Sequence, residues 1–225
     1  MAGHRLEVLD DADAVHRRGA ELIAESVKTD ISERDHCALA VSGGSDPWPM
    51  FSQLEEFDLD WREIEIFQVD ERVARAGADE RNLTHLVESL SIGAQGSIRP
   101  MPVTDDDLDA AADRYAASLP EAIDLAHLGL GPDGHTASLV PGDPVLDVTD
   151  KRVAVTSGEY QGVRRMTLTY PELHRTRRLL WVVTGEEKVD ALRKLIDQDP
   201  STPSGRVEPG GDSLILADRA AAPGG

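Results

Sequence analysis

Asp133 and His135 stand two residues apart around Gly134, inside Gly131-Pro132-Asp133-Gly134-His135-Thr136. A carboxylate and an imidazole joined by a flexible glycine can converge on one ligand, and imidazole is suited to act as a general base near neutral pH. The segment follows the apolar run Asp124 to Leu130, which reads as a strand. A helical turn is expected after it, and a histidine at a helix start feels the positive end of the dipole, which favours the neutral, basic form. The alternative is a capping aspartate beside an ordinary surface histidine. Residues 129–134 also match G-x-G-x-x-G literally, but a dinucleotide site is disfavoured. Asp133 would set a carboxylate against the pyrophosphate, Pro132 removes a backbone donor, and the match falls late in the chain rather than in a first βα unit.

Two further clusters carry chemistry. Ser42-Gly43-Gly44-Ser45 follows the apolar run Cys37 to Val41. Paired glycines let backbone N–H groups converge on an anion, and two hydroxyls add donors; the alternative is a strand-to-helix turn with a serine cap. No Gly-Lys-Ser/Thr follows, so the loop is not a nucleotide P-loop. Asp70-Glu71-Arg72 follows the run Ile64 to Val69. Arg72 suits a phosphate or a developing oxyanion, the alternative being a solvated, salt-bridged loop. The other histidines (His4, His16, His36, His85, His127 and His174) lack a comparable setting, no cluster has metal-ligand spacing, and no G-x-S-x-G elbow offers a serine nucleophile.

Positioning these groups requires strands that end at one edge. Helical spacing of apolar residues marks 11–28, the Leu83–Leu90 stretch, Leu108 to Leu119 behind an acidic first turn, and Glu186 to Ile196, and a short helix is expected from about Pro47, since proline is favoured in a first turn. Further strands are expected at Arg152 to Thr156, Met166 to Leu168, Leu179 to Thr184 and Ser213 to Ala217, with a loop over 197–212 and a frayed tail from Ala220. Strands alternating with helices specify an α/β fold: three layers, a mostly parallel doubly wound sheet with helices on both faces, in one domain over 1–225. Ligands of such sheets bind at the carboxyl ends of the strands, where the loops 42–46, 70–72 and 129–136 are expected to meet.

Composition narrows the partners. The net charge of −19 disfavours nucleic acid and anionic membrane, so an anionic ligand needs a local basic site. Apolar content is 40% with only 4% aromatic, which implies an aliphatic core. The single cysteine, Cys37, lies in an apolar run and reads as a small core residue. No signal peptide or membrane-length apolar run is present, so a cytoplasmic location is expected.

Together these loops resemble the 6-phosphogluconolactonase family over nearly the whole chain. The family's Ser-Gly-Gly-Ser loop is matched at Ser42 to Ser45, and its Asp-Glu-Arg triplet at Asp70 to Arg72, followed by Asn82. Its Asp-Gly-His-Thr-Ala-Ser-Leu is matched at Asp133 to Leu139, then Pro141 and Gly142. Its Arg-x-Thr-Leu-Thr strand is matched at Arg165 to Thr169, and its Thr-Gly-Glu-Glu-Lys turn at Thr184 to Lys188. The resemblance implies hydrolysis of a sugar-phosphate lactone without metal or organic cofactor. It implies His135 as the base that activates water, Asp133 as its orienting partner, and Arg72 beside Asp70 as the charged pair at the phosphate or oxyanion. Ser42, Gly43, Gly44, Ser45, Arg165 and Asn82 complete the substrate site. The chemistry is sufficient, since a δ-lactone is an activated ester that needs one base and one oxyanion donor.

Related sugar-phosphate isomerases and deaminases share the Asp-Gly-His core but continue to a Glu-Pro pair that supplies an acid; here the pair is Val140-Pro141. An isomerase, or a sugar-phosphate-binding protein without catalysis, is the alternative reading. The chain also departs from the lactonase pattern. Asp46 stands where the family has Thr, Arg81 where it has Ser, and residues 158–164 replace a segment with a Lys and paired prolines. Arg81 is expected to offset Asp46, and Arg164 to replace the lost lysine charge beside a repulsive Glu159.

Overall fold

Burial is nearly continuous along the inner strands, so each carries two faces that must both be covered. The structure, a computed structural model, describes residues 3–44, 47–90 and 92–224. Strand β1 (Arg5–Leu9) leads into helix α1 (Ala12–Arg34), capped by Asp11, whose carboxylate accepts from Ala14 N at 2.9 Å. Strand β2 (Cys37–Val41), helix α2 (Trp48–Ser52), strand β3 (Ile64–Gln68) and the short strand β4 (Asp70–Arg72) follow. Next come α3 (Asn82–Ser89), α4 (Ile92–Gln95), β5 (Ile98–Arg99), α5 (Leu108–Ser118) and β6 (Leu125–Gly129). The last third holds β7 (Val153–Val155), β8 (Arg165–Leu168), α6 (Tyr170–Arg175), β9 (Arg178–Val183), α7 (Val189–Ile196) and β10 (Asp212–Asp218).

Seven strands form one parallel sheet in the order β1-β10-β9-β6-β2-β3-β5. Leu39 of β2 and Leu180 and Val182 of β9 face a core packed with α1, α2 and α3 residues such as Ile23, Phe51 and Leu86. Ala38 and Ala40 of β2 and Leu179, Trp181 and Val183 of β9 face the opposite core, with Ala112, Tyr115, Leu192 and Leu195 from α5 and α7. The expected three-layer α/β architecture is therefore observed. The chain builds outward from β2 to β3 and later, from β6, to β9 and β10. The strand order thus reverses between β2 and β6, which pair at Val41 and His127. That reversal opens a crevice at the carboxyl ends of the two strands.

Several expectations change. Residues 70–72 are not a loop: they are the edge of a second, antiparallel sheet in the order β4-β8-β7. No helix follows His135; residues 136–139 form a turn closed by a Thr136–Leu139 bridge, which removes the helix-dipole argument for the imidazole. The stretch Glu186–Lys188 is a 3-10 turn ahead of α7. Residues 221–224 are not simply frayed, because Ala221 is buried and its N–H donates to Asp218. Strands β1 and β5 and helix α6 are elements beyond those expected. Among the described residues no helix is long and apolar enough to cross a membrane.

At the amino ends of the strands lies a buried charge network. Asp30 of α1 is ion-paired with Arg34 and with Arg178 of β9. Asp124, just before β6, accepts from Ala38 N at 2.9 Å and meets Arg34 at 3.2 Å and Arg177 at 3.3 Å. With Cys37 these acids are the only cluster of three potential metal ligands among the described residues. The arginines neutralise the carboxylates, and burial, followed by the charges of Asp30 and Asp124, pushes the Cys37 thiol far up, so it stays protonated. The cluster reads as a clamp that ties α1 to β2, β6 and β9. Asp30→Ala is expected to destabilise the protein by about 3 kcal/mol by leaving Arg178 without its carboxylate partner and Arg34 with Asp124 and Glu33 alone. Urea unfolding should show a lower midpoint with an unchanged slope.

Candidate active site

The cradle begins where β2 ends. Ser42 N donates to His127 O of β6 at 3.2 Å, which stitches the loop to the crevice. Gly43 is needed for close approach: a Cβ there would lie 1.9 Å from Asn82 Oδ1. Gly44 has a φ of +124°, a backbone shape reserved for glycine. Ser45 and Asp46 lie outside the described residues, so the loop contributes Ser42, Gly43 and Gly44 to what can be described.

The second sheet supplies the charge. In the β4–β8 ladder Arg72 lies directly opposite Arg165, and Asp70 opposite Thr167. Like charges placed face to face across strands repel, and two features offset this. Asp70, itself buried, lies 4.0 Å from the Arg165 guanidinium. It also accepts from Ser138 Oγ at 2.6 Å and from Asn82 Nδ2 at 3.3 Å. Arg72 donates to Glu80 O at 3.0 Å and to the Asn82 side-chain oxygen. Burial, ahead of the opposing attraction of Asp70, lowers the Arg165 pKa from its ordinary value.

Glu71, fully buried, anchors this arrangement. Its Oε1 accepts from Arg72 N and Asn82 N, both at 2.7 Å. Its Oε2 accepts from Leu83 N at 2.9 Å, Gln68 Nε2 at 3.0 Å and Arg81 Nε at 3.2 Å. Helix α3 has no side-chain cap of its own, so Glu71 caps it from another element. Arg81 is therefore buried and paired with Glu71; the pairing expected with Asp46 lies outside the described residues. Arg164 donates to Thr156 O at 3.0 Å and is not part of the cleft wall.

The turn after β6 presents the base. Gly131 N donates to His135 O at 2.8 Å, and Gly134 N to Gly131 O at 2.9 Å. A Cβ on Gly131 would lie 2.0 Å from His135 Nδ1, so glycine makes room for the imidazole. Asp133 Oδ1 lies 2.6 Å from His135 Nδ1 and also accepts His135 N at 3.1 Å. With Nδ1–H donated to Asp133, Nε2 is the ring atom able to accept a proton. Burial alone would raise the Asp133 carboxyl, but its hydrogen bonds to His135 and the charge there outweigh burial and hold it below its ordinary 3.8. The pair's contribution to folding is therefore complete above 3.8 and is lost as pH falls through the lower folded-state value.

These groups meet in one cleft of about 630 Å³. Of the expected residues, Ser42, Gly43, Gly44, Asp70, Arg72, Asn82, His135 and Arg165 line it, and Asp133 stands behind His135. Ser42 Oγ, Arg72 Nε and Arg165 Nε are buried without a hydrogen-bond partner among the described residues. Unsatisfied buried donors are costly, and three of them lining one cleft suit an anionic ligand. The structure adds His85, His127, Gln161 and Lys188 to the lining. Lys188 belongs to a motif visible in the sequence; His127 is hidden as one letter of a buried strand, and nothing local marks His85. Glu71→Ala should cost about 3–5 kcal/mol by orphaning Arg81 and the α3 N-terminus, with Glu71→Gln losing less; urea unfolding of both checks this.

The model of the family described as glucosamine-6-phosphate isomerases/6-phosphogluconolactonase matches residues 10–216. A 6-phosphogluconolactonase of Nostoc sp. is 31% identical over 96% of this chain and 96% of that protein. One from Mycobacterium tuberculosis is 30% identical with the same coverage of both chains. The crystal structure of 6-phosphogluconolactonase from Thermotoga maritima superposes with a TM-score of 0.87 at 26% identity, covering 96% of this chain and 100% of that one. On the family match, the identity and the shared fold, this chain belongs to the glucosamine-6-phosphate isomerase/6-phosphogluconolactonase family.

Proposed function

We propose that this protein hydrolyses 6-phospho-D-glucono-1,5-lactone to 6-phosphogluconate in the oxidative pentose phosphate pathway, with His135 activating the attacking water. The observation that carries the reading is a carboxylate-oriented imidazole in the same cleft as two opposed arginines. Ser42, the Gly43 and Gly44 backbone and Arg165, joined by Lys188, hold the phosphate and place C1 of the lactone near His135. Nε2 of His135 takes a proton from water as its oxygen attacks C1. Arg72, fixed by Asn82, stabilises the oxyanion that forms. Collapse breaks the bond from C1 to the ring oxygen, and the proton on Nε2 passes to that oxygen as it leaves as a hydroxyl. Asp133 stays ionised and holds the ring through the cycle. Asp70 acts at one remove by fixing Asn82 and Ser138.

Ring-opening isomerisation is less well supported. Its proton donor would fall at Val140, which is buried and cannot transfer a proton.

The test is the hydrolysis of freshly made lactone, coupled to a dehydrogenase that consumes the acid, with spontaneous opening subtracted. The wild-type protein should accelerate hydrolysis. Arg165→Ala should raise KM about tenfold or more through loss of a charged phosphate contact. Asp133→Asn should lower kcat roughly 10²-fold by releasing the imidazole from its orientation. No acceleration over background, or turnover of glucosamine 6-phosphate instead, would contradict the proposal.

A further inference from the structure

The segment that departs from the family pattern, 158–164, does not simply lose a charge. It folds as a hairpin arm beside the base. Thr156 N donates to Arg165 O at 2.8 Å, and Tyr160 N to Val163 O at 3.0 Å. The tip turns through Gln161 and Gly162, with φ of 55° and 84°, the left-handed pair that closes a tight hairpin. This turn delivers Tyr160 to the Asp133–His135 pair. Its hydroxyl donates to Asp133 Oδ2 at 3.1 Å and lies 3.4 Å from His135 Nδ1. Its ring meets the imidazole edge-on at a centroid distance of 5.1 Å. The Arg165 guanidinium lies over the same ring at 5.1 Å and donates to Tyr160 O and to Gln161 Oε1.

We propose that Tyr160 is a positioning residue for this reaction: its hydroxyl and ring lock the Asp133–His135 pair and join it to the phosphate-binding Arg165. The inference rests on the reading of His135 as the base. The two oxygens of Asp133 are then divided, Oδ1 to the imidazole and Oδ2 to the phenol, so the carboxylate cannot rotate without breaking both bonds. The phenol also withdraws charge from the carboxylate. The phenol thereby tempers the pull of Asp133 on the imidazole. Burial, and then the charge of Asp133, raises the Tyr160 pKa, so the hydroxyl remains a neutral donor. The charged and titratable groups that face the phenol are Asp133 and His135 from the turn after β6 and Arg165 from β8.

Tyr160→Phe removes the hydroxyl and keeps the ring. Two readouts separate this inference from the substrate assignment. The first is the His135 ring titration followed by NMR without substrate, its signals assigned by their loss in His135→Ala. The second is kcat and KM for the lactone across pH. With the phenol gone, the Asp133 charge is less dispersed and favours the imidazolium more, so the imidazole titration should move to higher pH. The acid limb of kcat/KM should move with it. We expect kcat to fall about 3- to 10-fold with KM within about twofold, the pattern of a misaligned base rather than of lost binding. Tyr160→Ala should lose more, because Arg165 and the imidazole also lose the ring. An unchanged titration together with unchanged kcat in Tyr160→Phe would overturn the inference, as would a loss confined to KM. A shifted titration in a protein that does not hydrolyse the lactone would overturn the substrate assignment and leave the positioning role standing.

Discussion

A carboxylate with no exposed surface, Glu71, sets the geometry on which the cleft depends. An ionised carboxyl in the interior is costly unless donors surround it. Glu71 gathers five donors from β3, β4, the residue before α3, and the first turn of α3. The consequence is positional. Strand β4 and the start of α3 are held at one point, so Arg72 and Asn82 meet and Asn82 seats against Gly43. The small antiparallel sheet then places Arg165 opposite Arg72. Two arginines face one another because Asp70 lies beside Arg165 while Arg72 is held by Glu80 O and the Asn82 oxygen.

The two ends of the parallel sheet divide the work. At the amino ends, acids and arginines neutralise each other and clamp α1 to three strands. At the carboxyl ends, where the strand order reverses between β2 and β6, donors remain without partners among the described residues. This resolves the tension between a net charge of −19 and an anionic ligand. Exposed surface charges are screened over roughly 8 Å at physiological salt, whereas the cleft concentrates Arg72, Arg165 and Lys188 within the site itself.

The architecture was legible in the sequence wherever side chains serve the core. The runs 37–41, 64–69 and 179–184 are mostly apolar because both sheet faces are buried, and they read as strands. Legibility failed where side chains serve something else. Asp70–Arg72 looks like a charged loop because its residues build the cleft, yet its backbone pairs with β8. Arg5–Leu9 is an edge strand with exposed Leu6 and Val8, so it lacks an apolar run. The Asp133–His135 pairing was foreseen, but its expected helix was not needed: Gly131 and the tight turn place the imidazole instead. The burial of Arg81 against Glu71 carries no local signal, because its partner lies ten residues away on β4. Tyr160 carries no local signal except the Gln161-Gly162 turn beside it, and its contact with Asp133 spans a sequence separation of 27 residues.

The central claim is that a neutral His135, oriented by Asp133, removes the proton from the attacking water. Chemical rescue tests it most directly. Initial rates of lactone hydrolysis should be measured for wild type and for His135→Ala, each with increasing free imidazole, over the spontaneous background. The account predicts that His135→Ala falls close to background and regains activity in proportion to the imidazole base, while wild type shows no gain beyond the added background. A His135→Ala protein that turns over at the wild-type rate without imidazole would contradict it.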